Sequence, residues 1–285
     1  MSDDQRRSRP STAVPAEGPT RVTVLGSFTL TVAGSTVPLG VDARRLIAYL
    51  AVHPRPQVRP ALAADLWPNV SAGRLLADAV AAIDVPGLLV DGPDGTLGLA
   101  DDVQVDLADA MRLLRALPAV PATEDTDTSL LGADILPGWT AAWIAIERER
   151  FRQLRLYAIE ERSQRLTAVG RFQAAVAMAE LAARTAPSRE SARRVLIEAH
   201  LAQGNIAAAL AEYDSYHELL RSSVGGPTPL GLEGLFPPMA QWPVLSARRP
   251  MPRSAVQLPG LRSVRSASGG MRRLVAGGSV PGTSR

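Results

Sequence analysis

Gly170-Arg-Phe172-x-x-Ala175 recurs 34 residues later as Gly204-Asn-Ile206-x-x-Ala209, inside a run of helix formers extending from Trp139 to Arg221. That period is the length of a helix pair which cannot bury its apolar face alone and must stack on a neighbour. Each Gly stands where a helix ends and a positive φ is wanted. Each Ala stands where the next helix must approach its partner closely, so a larger side chain would push the pair apart. Pro187, 17 residues after Gly170, is expected to stop the second helix, because its ring clashes with the preceding turn and it has no N–H to give. Arg221 occupies the matching position of the second unit, so the repeat is only partly kept. Stacked pairs of this kind offer a concave surface that usually binds protein.

Around the repeat the pattern is less decisive. Asp106 to Leu117 reads as a helix, and residues 118–128 as a polar, Pro-containing loop without chemistry of its own. Trp139 and Trp143 are spaced one helical turn apart, and Ile146, Leu154 and Ala158 continue the stripe. Such a stripe serves core packing, or it is a groove for a partner. Tyr213 and Tyr216 of the last helix either line the concave surface or close the core. Glu147, Arg148, Glu149, Arg150 and Arg152 read as a solvated face of mixed charge.

Residues 21–106 have a different texture. Arg21 to Leu39 alternates and is β-branched, which predicts two or three short strands with Gly34-Ser35 as a turn. Asp42 is a candidate cap for a helix running to about His53, with Leu46, Ile47 and Leu50 inward. A second helix is predicted over Val58–Trp67, stopped by Pro68. A third runs from Ser71, a candidate N-cap, to near Ile83. Leu88–Asp91 and Thr96–Leu99 flank Gly92-Pro-Asp-Gly95, a hairpin with turn residues in the turn. Strands, three helices and a closing hairpin predict a winged helix-turn-helix, in which the third helix lies in the major groove of DNA. The alternative is a small α+β domain with no DNA role.

Composition narrows the function. All 31 basic residues are Arg, so a P-loop, Schiff-base or kinase-type lysine is impossible. With no cysteine there is no disulfide, thiolate nucleophile or Cys-based metal site. No HExxH, Gly-rich phosphate loop or paired-carboxylate signature appears, and His53, His200 and His217 form no constellation. No enzyme activity, metal or cofactor is expected. No apolar run is long enough to span a membrane, and Arg6-Arg7 has no apolar segment behind it, so a cytoplasmic protein is the expectation. Residues 237–285 hold eight Arg and no acid, against 23 Arg and 28 acids over residues 1–236. The high pI therefore belongs to the tail, whose charge suits non-specific contact with nucleic acid.

Val37-Pro38-Leu39, the Arg44-Arg45 helix start and Ala61-Leu-Ala-Ala-Asp-Leu-Trp-Pro68 resemble the first domain of the SARP family (streptomycete antibiotic regulatory proteins). Val103-Gln-Val-Asp-Leu-Ala-Asp-Ala-Met-Arg-Leu-Leu114 is similar to that family's junction into its second domain, the bacterial transcriptional activator domain. Leu136-Pro-Gly-Trp139-x-x-x-Trp143, Glu147-Arg-Glu-Arg150 and the Gly170 and Gly204 repeats resemble that second domain more specifically. The resemblance spans about residues 21–225. It implies an activator of a biosynthetic or pathway gene cluster that binds promoter DNA. It further implies RNA polymerase or another transcription protein as partner, and a homodimer. Larger relatives append an NTPase domain, which this chain is expected to lack.

The third helix departs from the family. It reads Ser71-Ala-Gly-Arg74-Leu-Leu-Ala-Asp78-Ala-Val-Ala-Ala-Ile83-Asp84, with one base where the resemblance implies several. Residues 21–106 hold six Arg against nine Asp. Phosphate neutralisation supplies most non-specific affinity for DNA, so the acidic balance works against it. Arg44, Arg45, Arg59 and Arg74 are the candidate DNA-binding residues, and Trp139, Trp143, Tyr213 and Tyr216 the candidate partner-binding residues.

The expected architecture is an α+β winged helix-turn-helix over 21–106 followed by an all-α, tetratricopeptide-like (TPR-like) helical repeat domain over 107–236. Disordered tails are expected over 1–20 and 237–285. The expected function is a DNA-binding transcriptional regulator. The alternative is a protein-binding co-regulator whose winged helix has lost sequence-specific DNA binding.

Overall fold

The computed structural model describes residues 18–68, 71–224 and 230–236. Most of the expected tails, residues 1–17 and 237–285, lie outside these. Residues 18–20 do not, and Thr20 already belongs to the first strand.

The structure is mostly helical, with two small sheets near its N-terminus. β1 (Thr20–Thr23) and β2 (Thr29–Val32) pair antiparallel from Thr20↔Val32 to Thr23↔Thr29, and β3 (Ser35–Thr36) continues from β2. Ala33 and Gly34 both have positive φ, 50° and 80°, which matches the turn to the strand twist. A fourth strand, β7 (Gln104–Val105), runs parallel to β1 and carries the chain back across the N-terminal half. It is too short to show periodicity, so alternation could not reveal it.

Three helices follow the first strands: α1 (Val41–Val52), α2 (Arg59–Leu66) and α3 (Ala72–Ala81). They enclose a core of Leu46, Tyr49, Leu50, Leu62, Leu66, Trp67, Leu76 and Leu97. The hairpin β5 (Leu89–Gly92) and β6 (Thr96–Leu99) closes this unit, and β4 (Gln57–Val58) adds a third strand to it against β6. Asp42 does not cap α1. Gly40 holds the N-cap position, and the Asp42 carboxylate instead accepts the Trp67 indole N–H at 3.0 Å. That bond ties the start of α1 to the end of α2. Ser71 does occupy the N-cap of α3, but its side chain makes no capping bond.

The second half is built on α4 (Asp106–Ala116), α5 (Ala142–Ala168), α6 (Phe172–Thr185), α7 (Glu190–Ala202) and α8 (Ile206–Val224). The two repeat units close their helices identically. Gly170 and Gly204 have φ of 77° and 81°, and the Arg171 and Asn205 N–H groups reach back to the Leu166 and His200 carbonyls. Ala175 and Ala209 are fully buried. Pro187 follows the end of α6, whereas α8, with Arg221 in that register, runs on to Val224.

Two readings of α5 require correction. Trp139 precedes the helix, so it and Trp143 do not share a helical face. The stripe through Ile146 and Leu154 is also out of register, since these side chains are 71% and 44% exposed. Ile144, Phe151, Arg155, Ile159, Arg162 and Leu166 face the core instead. Three Arg sit on that inward side at spacings of seven residues: Arg148, Arg155 and Arg162. They bind the irregular segment before the helix. Arg148 donates to the carbonyls of Ile135, Leu136 and Trp139, so it is not part of a solvated face. Arg155 donates to the Ala133 carbonyl and the Asp134 carboxylate. Arg162 donates to the carbonyls of Val120, Pro121 and Glu124, while Arg165 takes those of Leu117, Pro118 and Val120.

The 118–128 loop is thus held by guanidinium forks, because a non-regular backbone next to a core must find donors for its carbonyls. Arg162 is 3% exposed. Arg162→Lys is expected to destabilise the chain by about 2 kcal/mol in urea unfolding, nearly as much as Arg162→Ala, because one ammonium cannot span three fixed carbonyls. Equal stability of the lysine variant and the parent would show that the loop is not held this way.

The buried core runs without a break through both halves, from Val22, Val24 and Leu30 to Leu107, Leu131, Ile135, Phe151 and on to Ala199. Val24–Gly26 forms the seam. Leu25 bridges Ile135, the Gly26 N–H donates to the Asp134 carbonyl, and the Leu136 N–H donates to the Val24 carbonyl. Asp106 accepts the N–H groups of Val24 and Leu25 from the other side.

Candidate functional site

α3 buries Leu76 and Ala79 against α1 and α2. Its outer surface presents Gly73, Arg74, Ala77, Asp78 and Ala81, all exposed. Arg74 lies 3.8 Å from the Asp78 carboxylate one turn on, and both side chains are well exposed. The single base on this helix therefore has an acid beside it. Arg59, at the start of α2, donates to Asp91 on β5, which links the helix to the hairpin. Arg44 is exposed and Arg45 half-buried at the start of α1, and neither forms a side-chain ion pair among the described residues. The hairpin tip turns through Asp94 and Gly95, at φ of 62° and 72°, and exposes Val90 at its side. The four Arg singled out from the sequence thus divide into a pair neutralised by neighbours and a pair that is not.

α1 is held rigidly beneath this surface. Tyr49 donates its hydroxyl to Asp65 of α2 at 2.6 Å, and burial followed by that bond pushes its pKa above the ordinary tyrosine value. His53 stacks on Tyr49 at 4.1 Å and meets the Tyr49 carbonyl through Nδ1 at 2.9 Å.

The aromatic candidates sit inside the chain to different degrees. The Trp143 ring lies 5.0 Å from Tyr49 and 6.1 Å from His53, so it docks α5 onto α1. Trp139 lies between Phe28, in the connection just before β2, at 6.3 Å, and Trp143, at 6.4 Å. Tyr216 is 3% exposed, donates to the Ser188 carbonyl and packs under the Arg193 guanidinium. Tyr213 is half-buried, bonds Glu233 at 3.3 Å and meets Phe236 edge-on. The open face of the repeat carries the pairs Arg193–Glu212 and Arg184–Glu180 around a recess of about 520 Å³ floored by Ala183, Pro187 and Leu196.

Residues 109–235 match the family profile described as Bacterial transcriptional activator domain. The helical half is thus similar to that domain. This bears out the resemblance to the SARP family. A solved structure of Mycobacterium tuberculosis EmbR in complex with a low-affinity phosphopeptide superposes with a TM-score of 0.55 at 22% identity. The likeness covers 76% of this chain and 64% of that one, and at this identity it is a likeness of fold. No curated protein gives a match. Among the described residues, no helix is long and apolar enough to cross a membrane.

The matched stretch, residues 109–235, includes the seam residues Asp134 to Leu136 and the whole row of inward Arg on α5. Sequence reasoning missed that row, although the seven-residue spacing of Arg148, Arg155 and Arg162 was its visible signal. Asp106, the other missed residue, had no comparable signal. An Asp opening a helix reads as a favourable first-turn acid and nothing more.

Proposed function

We propose that this chain is a cytoplasmic, DNA-binding transcriptional regulator, an activator of a pathway gene cluster. The winged-helix unit over 21–106 approaches promoter DNA with α3 and the β5–β6 hairpin. The activator domain contacts RNA polymerase, another transcription protein or a second copy of the chain. The observation that carries this reading is an activator domain joined to a unit of three helices and a closing hairpin. Arg44 and Arg45 hold backbone phosphates, since they lack acidic partners among the described residues. Arg74 reaches the groove only after leaving Asp78.

The acidic character of α3 supports a second reading, in which the N-terminal unit no longer reads sequence and the activator domain acts through protein contacts alone. Titration of the full chain and of residues 1–236 with DNA from upstream of its own gene neighbourhood, across a salt series, separates the two. Saturable, sequence-dependent binding by residues 1–236 at low salt is expected. Its absence would leave the second reading.

Where binding occurs, Asp78→Asn is expected to tighten it several-fold by releasing Arg74 and removing a charge near the phosphates. Arg45→Ala is expected to weaken binding uniformly across sequences and reduce the salt slope by about one. A loss confined to particular base pairs would assign Arg45 to base readout instead.

A further inference from the structure

We infer that the cleft between α1, α4 and α5 is a binding site for a small amphipathic anion, a molecule with an apolar body and one carboxylate-like headgroup. This inference does not rest on the DNA-binding reading. The cleft encloses about 300 Å³, enough for a small organic molecule. Its apolar walls are Val52 from the end of α1, Leu107 and Met111 from α4, and Phe151 and Leu154 from α5. Phe151 is 3% exposed, and Leu154 stands 44% exposed at the lip. A pocket so lined gains free energy when an apolar body displaces its water.

The charge at the rim selects the headgroup. Over residues 1–236 acids outnumber Arg, 28 to 23, yet this rim carries Arg112, Arg115 and Arg150 against one acid, Glu147. Asp109 holds Arg112, and Glu147 lies 3.9 Å from Arg150. Arg115, in the last turn of α4, is exposed and forms no ion pair among the described residues. Even with Asp109 counted, the rim keeps one positive charge in excess, inverting the sign of the surrounding protein. A guanidinium fork beside an apolar pocket matches a carboxylate in both charge and geometry. Bound there, the molecule would bridge α1 to the first two helices of the second half.

The test uses the purified full chain and the fluorescent probe 1-anilinonaphthalene-8-sulfonate. One-to-one saturable dye binding is expected, and octanoate should displace the dye more effectively than octanol by about tenfold. Ala108→Phe places a ring in the cleft from an exposed position of α4 and should abolish dye binding without loss of the far-UV spectrum. Arg115→Gln should weaken dye binding several-fold, because the dye's sulfonate uses the same guanidinium, while leaving it saturable, and should bring octanoate and octanol close to parity. The inference is overturned if no saturable site exists, if Ala108→Phe leaves binding unchanged, or if the octanoate preference survives Arg115→Gln. It is equally overturned if dye binding falls as protein concentration rises while sedimentation shows dimers that Ala108→Phe disperses, since a second copy would then fill the cleft.

Discussion

Arg155→Ala is expected to lower the stability of the chain by about 3–5 kcal/mol, read as a shift of roughly 6–20 °C in thermal midpoint. Arg155 is 2% exposed and sits at the seam, where it donates to the Ala133 carbonyl and the Asp134 carboxylate. Burial pushes its pKa below the usual arginine value, and the charge of Asp134 opposes that shift. Removing the guanidinium leaves a carbonyl and a carboxylate without their donor beside the core. Because Asp134 is 34% exposed, water can reach it, and the loss belongs at the lower end of the range. Arg155→Lys is expected to recover only part of the loss, since an ammonium satisfies one of the two acceptors at good geometry. A change below about 1 kcal/mol in the alanine variant would show that the seam does not depend on this residue.

The second large effect is expected at Asp106. Its carboxylate is 5% exposed and accepts the N–H groups of Val24, Leu25 and Leu107 at 2.7 to 2.9 Å. Burial pushes its pKa above the ordinary aspartate value, and the three donors pull in the opposite direction. Asp106→Ala strands three N–H groups, two of them in buried surroundings, for an expected loss of about 3–5 kcal/mol. Asp106→Asn keeps one acceptor oxygen for Val24 and Leu107 but sets an amide N–H₂ against the Leu25 N–H. Its expected cost is about 1–2 kcal/mol in urea unfolding. If asparagine proved as damaging as alanine, the role of Asp106 would lie in its charge and not in the bonds it accepts.

Both positions show where sequence reasoning stops. The helices of the repeat were legible because Gly170, Gly204, Ala175 and Ala209 act locally: a positive φ and a close helix approach leave the same residue types at the same spacing. The β5–β6 hairpin was legible for a similar reason, through turn residues between alternating runs, whereas the first turn falls at Ala33-Gly34, one residue before the Gly34-Ser35 expected, with Ser35 already in β3. The face of α5 was misjudged because hydrophobicity was taken to mark the inside. Here long Arg side chains fill inward positions and satisfy loop carbonyls, while Ile146 and Tyr157 stay exposed at 71% and 67%. In the candidate site, residue type and position singled out Arg44, Arg45, Arg59 and Arg74 as proposals. Their pairing was only half legible. The Arg74–Asp78 spacing is helical and visible in sequence, whereas Arg59 and Asp91 meet across 32 residues through the fold of the hairpin.

The sequence alone determined a helical repeat with its period, helix ends and close-packed alanines, and an N-terminal unit of strands, three helices and a hairpin. Each of these is set by interactions between residues a few positions apart, which leave a periodic trace. Only the tertiary structure decided that the two halves share one core, that Val24–Gly26 is clasped between Asp106 and residues 134–136, and that Trp143 docks α5 onto Tyr49 of α1. Those contacts join residues far apart in the chain through single hydrogen bonds and single rings. Neither leaves a repeating pattern, so no spacing rule could have located them.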